Sequence, residues 1–151
     1  MQSFSGLLDG YRRFRDVQAA PERARWRELG EGQSPEAVII ACCDSRADPA
    51  TIFDTNPGQI FVVRNVANLV PPYEPGGGRH GVSAALEFAV TQLEIPRIVV
   101  MGHERCGGIQ ASLTGQFVNA AHGEGGFIAQ WMELLEVPRA EIAAKHGKGA
   151  D

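Results

Sequence analysis

Cys42, Cys43, Asp44 and Arg46 in one stretch, and His103 and Cys106 in another, are the residues whose types and spacing could do chemistry. Two thiolates and one imidazole form a soft donor set that selects zinc. Three protein ligands leave the fourth tetrahedral position to water, as in catalytic sites; a structural site would have a fourth Cys or His nearby. The other histidines, His80, His122 and His146, stand in loop or tail contexts and read as ordinary surface residues.

Cys42 closes a short apolar run, Ala37-Val38-Ile39-Ile40-Ala41-Cys42, which reads as a strand. Side chains alternate along a strand, so Cys42 and Asp44 project to one side and Cys43 to the other. Cys43 is therefore expected to be a small buried core residue rather than a ligand. His103 directly follows another apolar run, Arg97 to Met101, and Cys106 comes three residues later as the chain turns into a helix opened by Gly107-Gly108. Both pairs thus fall at the carboxyl ends of predicted parallel strands, where open α/β sheets bind ligands.

Bound zinc brings its water to a pKa near ~7 and so provides hydroxide for attack on an electrophilic carbon. Two thiolates cancel the charge of the metal and weaken that effect, so the site needs help. Asp44 can accept a hydrogen bond from the attacking hydroxide, and Arg46 can pair with Asp44 and keep it ionised. The competing reading is a plain surface ion pair, which the shared strand face disfavours.

Around these stretches the elements are legible. Phe4, Leu7, Leu8, Tyr11 and Phe14 recur at helical spacing, and Pro21 opens a second, polar helix to about Leu29. Gln59 to Val63 is another apolar run, and all three runs read as strands buried on both faces. Val82, Ala85, Leu86, Ala89, Val90 and Leu93 mark one face of a helix that Glu94-Ile95-Pro96 ends, which makes a βαβ unit. Residues 71–78 form a loop, and Gly123 to Gly126 a flexible spot. Phe127 to Leu135 is amphipathic, and a helix opened by Pro138 is expected to stop at Gly147. The expected class is α/β: three layers, with a central, mostly parallel sheet flanked by helices and an N-terminal helical arm. We expect a single domain over 1–151, divided into an arm (1–32), a zinc-site core (33–116) and a helical tail (117–151).

The chain has 151 residues, is 44% hydrophobic and 21% charged, and carries a formal charge of -4, so it is foldable and lacks the electrostatic footprint of a nucleic-acid binder. The basic run Tyr11-Arg12-Arg13-Phe14-Arg15 is flanked by Asp9 and Asp16 and reads as a solvated helix face. No apolar run approaches ~18 residues, so no membrane span is expected. The start lacks a charged region followed by an apolar one, from which a cytoplasmic location is expected. An odd count of 3 cysteines, two of them adjacent, suits a metal site in a reducing compartment better than a disulfide framework.

Ala41-Cys42-Cys43-Asp44-Ser45-Arg46 resembles the Cys-x-Asp-Ser-Arg signature of β-class carbonic anhydrases, and Gly102-His103-Glu104-Arg105-Cys106-Gly107-Gly108 its Gly-His-x-x-Cys-Gly-Gly partner. Pro57-Gly58 and Phe61-Val62-Val63-Arg64-Asn65-Val66-Ala67-Asn68 are similar to the stretch between them, so the match covers Gln33 to about Leu113. The resemblance implies one zinc per chain, reversible hydration of carbon dioxide to bicarbonate and a proton, and subunits paired as a homodimer or tetramer. It also implies substrate-side roles for Gln33 and Phe61, by their spacing from Cys42, in a cleft often at the subunit boundary.

Three departures qualify the likeness. Phe88 stands where many members have Tyr, and Ile39 where a bicarbonate-regulated subgroup has Trp. The latter favours water, rather than Asp44 as a fourth ligand, on the zinc. Members also continue with a long helix and a further strand bordering the sheet, which implies either an incomplete sequence or a partner that supplies the edge. The alternatives are hydrolysis of a carbon dioxide analogue, carbonyl sulfide or carbon disulfide, and a zinc-binding interaction protein without catalysis. A redox role for Cys42-Cys43 is disfavoured by their opposed directions. As proton shuttle only His80 offers itself, by composition alone.

Overall fold

The computed structural model describes residues 3–76 and 78–146. These form two compact units, one within 1–34 and one within 35–151. The first contains helix α1 (Phe4–Arg13), a π-helical turn (Phe14–Gln18) and helix α2 (Arg23–Glu31). Phe14 and Trp26 meet edge to face with ring centroids 5.5 Å apart. α2 begins two residues after Pro21, so the proline precedes the helix rather than opening it.

In the second unit, strands β1 (Ala37–Cys42), β2 (Ile60–Asn65) and β3 (Ile98–Met101) form one parallel sheet in the order β2-β1-β3. The register pairs Val38 with Phe61 and Cys42 with Asn65 on one side, and Ala41 with Met101 on the other. β1 is therefore the central strand, and its unbroken apolar run is buried on both faces. Helix α4 (Gly81–Thr91) crosses over between β2 and β3, and its Leu86 and Ala89 pack with Val38 and Ile40. Val38 and Ile40 are fully buried, each contributing roughly 1.5–3 kcal/mol relative to an exposed side chain. The helix ends as the sequence predicts: Glu94 takes a left-handed φ of 51°, Ile95 donates to the Ala89 carbonyl, and Pro96 leads into β3.

β3 differs from expectation. Ile98 and Val100 are each 53% exposed, and in β2 Val62 is 39% exposed, because the described elements packed on the sheet cover the central strand more fully than these two edge strands. An apolar run of this kind identifies a strand but does not say whether its surroundings are filled.

Past the sheet, the short helix α3 (Pro49–Ile52) and helices α5 (Gly107–Thr114), α6 (Gly126–Met132) and α7 (Glu136–His146) follow. Gly115 closes α5 in the left-handed conformation, with φ 66°. Pro138 lies in the first turn of α7, where no backbone donor is needed, two residues inside the start rather than at it. The stop expected at Gly147 lies outside the described residues. Cys42, Ala47, Ala67, Cys106 and Met132 form a second buried cluster, against which Met101, Ile109 and Trp131 pack. This cluster sits at the carboxyl ends of the strands, and it contains both thiols expected to bind metal.

Candidate metal centre

β1 ends at Cys42, and the chain then enters a 3-10 turn (Ser45–Ala47) capped by Asp44. Asp44 is thus placed by the turn rather than by strand alternation. Cys43 is exposed, a correction to its expected burial: it lies one residue beyond the end of β1, past the core that the strand enters, and its N–H donates to the Asn65 carbonyl. On the other side, His103 and Cys106 are joined by a turn in which Arg105 adopts φ 53°. That left-handed residue reverses the chain tightly enough for both side chains to face Cys42.

Ligand atoms of Cys42, His103 and Cys106 all lie within 4.8 Å of one another, and both cysteines are buried. The two sulfurs are 3.8 Å apart, far too long for a disulfide bond. Two thiolates on one tetrahedral zinc, each at ~2.3 Å, would be separated by about 3.8 Å. His103 Nδ1 lies 3.1 Å from the Glu104 carbonyl oxygen, which can only accept, so Nδ1 carries the proton. The lone pair of Nε2 is left on a buried atom with no hydrogen-bond partner. An orphaned acceptor beside two sulfurs is a costly arrangement without a cation, and the donor set fits zinc.

The electrostatics point the same way. Burial pushes the Cys42 thiol up, but hydrogen bonds from the Asp44 and Ala67 N–H groups and from Cys106, with the His103 ring close by, outweigh it and bring the pKa down to about 7. Asp44 N lies 3.5 Å from that sulfur. The Asp44 carboxylate receives Arg46 Nε and Nη2 at 3.0 and 2.8 Å and the Arg46 backbone N–H at 2.9 Å. The Arg46 side chain, then its N–H, hold Asp44 well below the usual carboxylate range. Arg46 Nη2 also donates to the Arg105 carbonyl at 3.3 Å, linking this pair to the turn that carries His103 and Cys106.

The remaining predicted residues lie elsewhere. Phe61 pairs with Val38, four residues before Cys42, or roughly 13 Å along the strand at ~3.3 Å per residue. It stacks on Phe88 with centroids 6.3 Å apart and packs in the cluster under α4. Gln33 is exposed in the first unit. His80 is exposed with Nε2 3.0 Å from the Gly76 carbonyl, and His122 packs edge-on against Phe127. Ile39 is buried in β1.

Sequence reasoning left the supporting residues undescribed. Asn65 brackets the loop after β2, accepting from Leu69 N–H at 2.8 Å and donating to the Leu69 carbonyl at 2.9 Å. That loop presents Ala67, buried at φ 65°, to the Cys42 sulfur. A Cβ on Gly108 would come within 2.9 Å of both Ala67 Cβ and Val66 Cγ1, so any side chain there would force α5 or the loop after β2 to shift. Arg64, a cation ending an apolar strand, was the one signal available.

Comparison with known proteins resolves the family. A family model described as carbonic anhydrase matches residues 37–151. The chain belongs to the β-carbonic anhydrase family. It is 42% identical over 108 residues to the chloroplastic beta carbonic anhydrase 5 of Arabidopsis thaliana, an alignment covering 72% of this chain and 35% of that protein. Among solved structures, the β-carbonic anhydrase CcaA superposes with a TM-score of 0.82 at 33% identity, covering 93% of this chain and 66% of that one. A structure report describing two tetrameric β-carbonic anhydrases of Sordaria macrospora gives a TM-score of 0.75 at 30% identity, covering 98% of this chain and 70% of that one. The chain therefore spans about a third of the Arabidopsis relative and about two thirds of the CcaA structure.

Proposed function

We propose that this chain carries the zinc site of a carbonic anhydrase, hydrating carbon dioxide reversibly to bicarbonate and a proton. The observation that carries the reading is the buried, unpartnered Nε2 of His103 facing two thiols, with a clasped carboxylate alongside. Cys42, His103 and Cys106 would hold one zinc ion, which supplies an acidified water and positive charge for the product anion.

The chain's own residues supply direction. Asp44, ionised and with no proton to give, accepts a hydrogen bond from the attacking oxygen and turns its lone pair toward carbon. It repels anions that have no proton to donate. Both Asp44 oxygens are engaged by Arg46, which supports its role as an acceptor rather than a fourth ligand, as Ile39 also suggests. Arg46 itself is spanned between Asp44 and the Arg105 carbonyl, so it cannot swing away without releasing both.

Phe61 lies too far along β2 to line its own chain's site, which favours a homodimer or tetramer in which Phe61 faces a neighbouring copy; for Gln33 the substrate-side role rests on the resemblance alone. The tetrameric Sordaria relatives support that assembly. A cytoplasmic location remains the reading of the sequence. No described helix is long and apolar enough to cross a membrane.

The test is metal content together with stopped-flow carbon dioxide hydration on the purified chain, with carbonyl sulfide and carbon disulfide as competing substrates. We expect stoichiometric zinc and hydration well above the buffer rate. Bound zinc with hydration no faster than buffer would leave a zinc-binding protein without this activity, and faster turnover of either sulfur compound would reassign the substrate.

A further inference from the structure

Arg64 is a half-buried cation at the end of β2, following the apolar residues Ile60 to Val63. It pairs in register with Ala41, whereas Cys42 pairs with Asn65. Side chains of paired residues share a face, so Arg64 leaves the sheet on the side opposite the Cys42 sulfur. It cannot act on the metal directly. Instead it reaches around the end of β1: Nε donates to the Cys42 carbonyl at 2.9 Å, Nη2 to the Asp44 carbonyl at 2.6 Å and Nη1 to Asp48 Oδ1 at 3.1 Å.

We propose that Arg64 is a positioning residue of the metal site, fixing the directions of the Cys42 sulfur and the Asp44 carboxylate by holding the carbonyls of both residues. Those carbonyls lie at and beyond the last ladder pair, where the sheet stops providing partners. They fix the peptide planes on either side of the Cys43–Asp44 peptide, whose N–H points at the Cys42 sulfur at 3.5 Å. Rotating either plane would move that N–H, and would turn Asp44 away from its clasp with Arg46. The guanidinium suits the task because its donors form a rigid planar fork; an ammonium at the same place has three donors on one nitrogen and cannot reproduce that spread. Asp48 anchors the fork from behind, since its other oxygen is held by Thr51 N–H at 3.0 Å and Thr51 Oγ1 at 2.7 Å.

The inference rests on the zinc-site reading above, and on the hydration activity only for one of its readouts. The experiment compares Arg64→Gln and Arg64→Lys with the wild-type chain. Its readouts are zinc affinity by chelator competition, the visible spectrum of the cobalt-substituted protein, apo-protein unfolding and carbon dioxide hydration. Outer-shell partners of metal ligands are typically worth 10- to 100-fold in affinity or activity. We expect Arg64→Gln to lose zinc affinity by about that factor and to shift the cobalt bands, with the ligand set intact at saturating metal. Arg64→Lys, which keeps the charge and the stem and protects folding should the glutamine variant fail to fold, is expected to fall between the two. Wild-type zinc affinity and cobalt spectrum in Arg64→Lys and in any folded Arg64→Gln would overturn the proposal, even with reduced unfolding stability, since that pattern is a purely structural role. Altered affinity and spectrum in a chain whose wild type does not hydrate carbon dioxide would uphold it while removing the function proposed above.

Discussion

Between Cys42 and Asp48 the chain is held by side chains, whereas between His103 and Cys106 it is held by backbone conformation. In the first turn, Arg64 takes two carbonyls and Asp48, and Asp44 receives three hydrogen bonds from Arg46. In the second, a left-handed Arg105 makes the reversal, His103 leans on its neighbour's carbonyl, and the closest Glu104–Arg105 contact is an exposed 3.8 Å pair of little energetic weight. Arg46 is the side chain that spans both. On the function proposed above, the difference is a division of labour: the second turn supplies donor atoms, while the first supplies donor atoms and the orientation of what attacks.

Breaking each turn should therefore cost different things. The largest effect belongs to Cys106→Ser, which replaces a buried thiolate by a hydroxyl that is neither soft nor ionised. Metal analysis should find zinc lost, and hydration lost with it; retained stoichiometric zinc would mean that the second turn is not a ligand turn. Asp44→Asn should leave zinc in place. Loss of a preorganised electrostatic contact of this type typically costs about 10²–10³ in turnover, and stopped-flow hydration on the zinc-loaded variant should show a fall of that order. Full activity in Asp44→Asn would make the two turns equivalent and Asp44 a bystander.

How much of this was readable beforehand depends on the range of the interaction. β1 was legible to the residue because it is central and apolar throughout, and the convergence of Cys42, His103 and Cys106 was legible because each pair is local in sequence, two short motifs at strand ends. Neither the exposure of β3 nor that of Cys43 was legible, since each depends on what lies outside a strand rather than on its own residues. The bracing was hidden for a related reason. Arg64 is 22 residues from Cys42, the carbonyl it holds, and carbonyls carry no sequence signal. Asp44 was assigned the right partner by the wrong route: Arg46 was inferred from strand alternation, but a 3-10 turn, with Asp44 as its cap, is what brings the two together.

Smaller effects sharpen the contrast in rigidity. Gly108→Ala would drive a methyl to within 2.9 Å of Ala67 and Val66, and overpacking of this kind costs about 1–3 kcal/mol. Urea unfolding of the apo-protein should show the loss. A stability unchanged from wild type would indicate that α5 can back away from Ala67, and that the backbone-held half of the site is softer than its packing implies. The smallest effect concerns Asp48. Hydrogen bonds from the Thr51 hydroxyl and then its N–H, ahead of the charge of Arg64, lower its pKa in the folded chain. A carboxylate whose folded pKa is depressed adds stability above its unfolded pKa, near ~3.9, and loses that contribution as pH falls through the folded value. The group is largely solvent-screened, so the contribution is about a few tenths of a kcal/mol. The stability of wild type over Asp48→Asn should be constant near neutral pH and shrink below about pH 4. A difference that stayed level into acid would show that the Asp48 charge does not help to hold Arg64, leaving the two carbonyls as the only anchors of the side-chain-held turn.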